Sequence, residues 1–175
     1  MNRNGLITIL FCLTMICALS SPSLAVMKGL STDELAKASE TVVIGEVENA
    51  EAQWSSDGKT IFTSATISIN EVVTGKTLPG KIVVEYEGGE LGDIGLKVSD
   101  MATLDKGDKV LLFLKTARSK KFGSAYNMIG KAQGKYKIGE DGIARKGGFS
   151  IADGGNEIDN DLPVDVLAEK IRRIK

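Results

Sequence analysis

The chain has no histidine, and its two cysteines, Cys12 and Cys17, both fall near the start. Beyond residue 17 there is neither thiol nor imidazole, so a Ser-His-Asp or Cys-His nucleophile cannot be assembled there. A His/Cys zinc site is excluded for the same reason. No disulfide can form in that part of the chain, and its stability must come from burial. Aromatic residues are few: one Trp, three Tyr and five Phe in 175 residues. Platforms for stacking sugars or bases are correspondingly scarce. Neither sign of charge is in excess, with 22 Lys+Arg against 23 Asp+Glu. Binding of single-stranded nucleic acid needs a basic groove lined by stacking aromatics. This composition offers neither, and the basic cluster Arg118 to Phe122 (RSKKF) reads as a solvated hairpin tip.

What is present begins with an address. MNRNG carries one charge at Arg3, an apolar stretch runs from Leu6 to Leu19, and SSPSLA follows. That order is expected of a secretory signal peptide cleaved after Ala25. The apolar stretch is short of the roughly 20 residues that a membrane helix needs, and an uncleaved anchor is the alternative. A lipid on Cys17 is disfavoured because Ile16 stands where lipoprotein processing wants a small side chain. Residues 26–175 then form the exported chain, periplasmic or secreted, with 21 Lys+Arg against 23 Asp+Glu and a net charge of −2. They suffice for one domain, and no repeat, linker or low-complexity segment divides them.

Within LSTDELAKASE, Ser31 and Glu34 have the spacing of a capping box, and Leu30 and Leu35 that of a hydrophobic staple. They predict a helix over Thr32 to Ser39. Strands follow. TVVIGEVENAEAQW has Gly45 in its middle, where a bend or bulge is expected. Ser55 to Gly58 (SSDG) is a turn. TIFTSATISINEVV alternates, with Ala65, Ile67 and Ile69 on one face. KIVVEYE places Ile82, Val84 and Tyr86 inward. After the turn LDKGDK, the run VLLFL (Val110 to Leu114) is apolar on both faces, so it is expected to be covered on both sides. Further strands are predicted around Tyr126 to Lys131 and Gly134 to Ile138, with a sixth near Phe149 and Ile151. The chain closes on a helix over 162–174, capped by Asp161, with Val164, Leu167, Ile171 and Ile174 as its apolar stripe. The pattern is mainly β. It predicts a small closed antiparallel barrel of the OB type, five or six strands with short N- and C-terminal helices, because closure removes exposed edges. A sandwich is the alternative.

ELAKASETVVIGEVENAEAQW, TSATISINEVVTGK and GDKVLLFL, within residues 34–115, together resemble the netrin-like barrel of metalloproteinase-inhibitor domains. There a helix runs into a Val-Val-x-Gly-x-Val strand, a long strand ends at a Lys/Gly turn, and a Gly-x-x-Leu-Leu strand comes later. Those inhibitors use an amino-terminal cysteine to reach the protease zinc and disulfides to hold the barrel. This chain lacks both after Cys17, so the resemblance implies the barrel and not the inhibition. Residues 30–142 also resemble an uncharacterised domain of exported bacterial proteins. The shared features are Trp54 before a turn, Asp57-Gly58, a Thr-rich strand, Gly88-Gly89, Gly107 to Val110 and GKAQGKY. That resemblance implies fold and export and no activity.

The stretch YEGGELGDIGLKV (86–98) invites a ligand. As a phosphate cradle it lacks the G-x-G-x-x-G spacing and a following helix, and Glu87, Glu90 and Asp93 would repel an anion. Calcium suits carboxylates better, but neither this stretch nor Asp153, Asn156, Glu157, Asp159 and Asp161 matches an EF-hand loop. Its four glycines, each costing a helix about 1 kcal/mol relative to alanine, predict an acidic rim loop joining two barrel strands. No catalytic residue, metal ligand or cofactor is assigned. The reading favoured here is a non-enzymatic module that binds an extracytoplasmic protein or envelope component through rim loops. Trp54, Glu87, Gly88, Gly89, Glu90 and Asp93 are its candidate contacts. The alternative is a carboxylate-based glycan hydrolase or a calcium-dependent extracytoplasmic protein.

Overall fold

The computed structural model describes residues 29–119, 121–147 and 158–175. The capping box forms as expected: the Ser31 hydroxyl accepts from the Glu34 N–H, and the Glu34 carboxylate accepts from the Ser31 N–H. Helix α1 (Thr32–Ala38) follows, closed by Ser39. Two long strands come next, β1 (Thr41–Trp54) and β2 (Ile61–Thr74), then β3 (Lys81–Glu87) and a small hairpin of β4 (Gly89–Leu91) and β5 (Ile94–Leu96). Strands β6 (Lys109–Ser119) and β7 (Gly123–Met128), a 3-10 turn (Lys131–Gly134), β8 (Lys135–Ile138), β9 (Ile143–Arg145), β10 (Leu162–Pro163) and helix α2 (Val164–Ile174) complete the chain.

The molecule is mainly β, and five of its strands form a ring. The order runs β1-β2-β3-β7-β6, and β6 returns to pair with β1 from Thr41↔Leu114 to Glu46↔Lys109. Four of the junctions are antiparallel, whereas β3 and β7 run parallel and join through one pair, Val84↔Tyr126. Strands β8, β9 and β10 continue the sheet outward from β6. The register of β1 against β2 shifts between Ile44 and Gly45. A Cβ on Gly45 would lie 2.5 Å from the Ser68 carbonyl oxygen, so only glycine lets the two backbones approach there.

The run at 110–114 separates two cores. Val110, Leu112 and Leu114 point into the ring, where they meet Val43, Ala65, Ile67 and Val84. Leu111 and Phe113 point out, into a second cluster with Leu35, Tyr136, Leu167 and Ile171. All five side chains are fully buried. The cover demanded by the two-faced apolar run is therefore the pair of helices together with Tyr136 on β8. An ion pair between Arg172 and Glu71 ties α2 to β2.

Several expectations need correction. Helix α2 starts at Val164 rather than 162, with Pro163 at the N-cap position and no side-chain cap. Asp161 has a positive φ of 54° and pairs with Arg145 at 3.1 Å, so it is not the cap. The strand expected around Tyr126 to Lys131 ends at Met128, and a 3-10 turn takes its place. The strand expected at Phe149 and Ile151 lies outside the described residues. Among those residues, no helix is long and apolar enough to cross a membrane.

Candidate functional site

The register of the three leading strands sets up one surface. Gln53 faces Phe62 and Phe62 faces Glu87; beside that row, Glu51 faces Ser64 and Ser64 faces Glu85. Because side chains alternate along strands, these two rows share a face, opposite to Ala65 and Val84 in the core. Against this face lies the β6–β7 hairpin tip. Ser119 Oγ donates to Glu85 Oε1 at 2.8 Å, and Lys121 sits 3.9 Å from Glu51. The β1–β2 turn closes one end, where Thr60 Oγ1 donates to Glu87 Oε1 at 3.0 Å. Between them runs an open groove of about 760 Å³. Trp54, Phe62 and Tyr86 are its aromatic residues, and Glu85, Glu87, Arg118 and Lys121 its charges.

The structure divides the six candidate residues. Trp54, which is 45% exposed, and Glu87 line this groove. Glu87 also borders a second cavity, of about 420 Å³, together with Gly88, Gly89 and Glu90. Asp93 lines neither and sits in the turn of the β4–β5 hairpin. The stretch expected as an irregular rim loop is thus a paired ribbon, Gly89↔Leu96 to Leu91↔Ile94. Sequence reasoning passed over Phe62, Glu85 and Arg118. Signals for the first two existed, since Phe62 and Glu85 alternate with core residues on their strands. Arg118 belonged to the cluster dismissed as a solvated tip, and no local pattern reveals that this tip lies over β3.

A second charged cluster is largely paired within itself. It is a basic cleft that holds Lys97, Lys135, Lys137 and Arg145. Lys135 and Lys137 both pair with Asp108, and Arg145 with Asp141 and Asp161. The Arg145 guanidinium beside Asp141 pulls that carboxyl down to about 2. Among the described residues no three carboxylates converge as a metal site. Asp159, half of the second calcium candidate's described pair, is held by Lys170 at 2.7 Å.

Lys146 differs. Among the described residues its buried Nζ has no hydrogen-bond partner, and it lies 4.6 Å from the centroid of the Tyr136 ring. Burial lowers its pKa to about 8, with Asp159 opposing. The unfolded chain therefore binds more protons between pH 8 and 10.5, and stability attributable to this residue rises with pH across that window. Lys146→Met is expected to raise stability at pH 7 by on the order of 1–2 kcal/mol, because the desolvation relieved exceeds the cation–π attraction lost. It should also flatten the rise. Thermal melts at pH 7 and 10 check both, and a destabilised Lys146→Met would show the amine to be favourably held.

In comparisons with known proteins, no family model matches the chain and no curated protein does.

Proposed function

We propose that this protein is an exported, non-enzymatic binding module built on an OB-type barrel. It engages an extracytoplasmic protein or envelope component through the groove over β2 and β3. OB barrels bind on the face of their second and third strands, between the loops joining strands one to two and four to five. In chain order, β6 and β7 stand as the fourth and fifth strands of the ring, and the parallel β3–β7 junction suits that arrangement. The observation that carries the reading is positional: the 760 Å³ groove lies on β2 and β3 and is flanked by the β1–β2 turn and the β6–β7 tip. Its volume falls within the roughly 300–1,000 Å³ of small-molecule sites.

Trp54 is the one tryptophan of the chain, so its fluorescence reports on this groove alone. Titrating the protein with separated protein, lipid and glycan fractions of a cell-envelope extract is expected to shift that emission saturably with at least one fraction. Phe62→Ala and Arg118→Ala should weaken the response at least tenfold without changing the circular dichroism. No response to any fraction, or an equal response from the variants, sinks the assignment.

A further inference from the structure

We infer that the groove takes a short, uncharged saccharide, a reading that rests on this groove being the ligand face. Charge is the first argument. Glu85 and Glu87 balance Arg118 and Lys121, so the groove exerts no net pull on a polyanion or a polycation.

Hydrogen-bonding capacity is the second. Glu87 accepts from the Thr60 hydroxyl, and Glu85 from the hydroxyls of Ser119 at 2.8 Å and Ser64 at 3.3 Å. An ionised carboxylate offers about four acceptor sites, so both retain free acceptors facing the groove. Among the described residues, neither carboxylate forms an ion pair, and the Arg118 guanidinium has no partner. Acceptors and donors thus stand unspent along the same channel. A ligand that satisfies both donates and accepts along its length while carrying no net charge, and the hydroxyls of a sugar chain do that.

The third argument is the apolar surface. Trp54 and Phe62 give aromatic area at one end of the groove, against which the C–H face of a sugar ring can rest. A lipid tail would cover Glu85, Glu87 and Arg118 without satisfying their polar groups. The chain's scarcity of aromatics does not count against this, because its single Trp is placed here.

The test is a glycan array probed with the purified full chain, followed by titration of the strongest saccharide with Trp54 fluorescence. Oligothymidylate, a lysine-rich peptide and phosphatidylglycerol vesicles serve as parallel probes. Saturable binding of a neutral saccharide is expected, with at least a tenfold loss of affinity in Glu87→Gln and in Arg118→Ala. Arg118 is exposed, so its truncation leaves the fold intact even if Glu87→Gln does not. No saccharide above background, or equal binding by wild type and both variants, overturns the inference. A groove-dependent response to peptide, oligonucleotide or vesicles alone overturns the saccharide and leaves the ligand face standing. Silence from every probe and from the envelope fractions overturns both.

Discussion

Phe113→Ala is expected to lower the unfolding free energy by about 3–5 kcal/mol, the range for truncating a buried aromatic. Phe113 is fully buried, and its ring lies 6.3 Å from that of Tyr136 at a tilt of 46°. Around it are Leu35 of α1 and Leu167 and Ile171 of α2, all in the same apolar cluster. The site collapses poorly, because the strand carrying Phe113 is pinned by pairing to β1 at Val42. With two to four degrees of melting temperature per kcal/mol as the approximate scale for a domain of this size, the drop is roughly 10 °C. Leu112→Ala, one residue along, empties the ring interior instead and should cost about 2–5 kcal/mol. The two differ in what they loosen. Hydrogen exchange should rise first in α1 and α2 for Phe113→Ala, and in β1 and β2 for Leu112→Ala. A loss below about 1 kcal/mol for Phe113→Ala, the size of an ordinary substitution, would show that the helices do not depend on this side chain.

That division of labour was legible in five letters. VLLFL has no polar face, and a strand without one must be covered twice. The alternation of Ile82, Val84 and Tyr86 likewise names the inward residues of β3, all three of them buried. Local chemistry of this kind survives because it depends on periods of two and on neighbours three residues apart. What escaped reading depends on long-range placement. Asp161 had the identity and position of a helix cap, but Arg145, 16 residues earlier, holds its carboxylate elsewhere. Arg118 became a groove residue because the β6–β7 hairpin lies over β3, a contact set by the ring and invisible in RSKKF. The acidic loop failed differently: its carboxylates drew attention, whereas its glycines carry the structural constraint.

Gly89→Ala is accordingly expected to act on stability before it acts on any ligand. Gly89 has φ +136°, which L side chains rarely adopt. A Cβ there would stand 2.4 Å from Thr63 Oγ1 and 2.9 Å from the Ala52 Cβ. Neither neighbour can yield. Thr63 is buried and its hydroxyl donates to the Gly88 carbonyl at 2.7 Å, while Ala52 belongs to the paired stretch of β1. Backbone strain of about 1–3 kcal/mol adds to an overpacking cost of about 1–3 kcal/mol, a total of roughly 2–6 kcal/mol. Gly92→Ala is the matched control: its φ of +62° carries the strain alone, since nothing lies within 4 Å of the added methyl. Urea unfolding should therefore place Gly92→Ala near 1 kcal/mol below wild type, the left-handed backbone cost, and Gly89→Ala well beneath it. If Gly89→Ala unfolds with wild-type stability yet loses the Trp54 response, the glycine pair belongs to the binding surface after all. If both variants fall together, the hairpin rather than the Thr63 contact sets the cost.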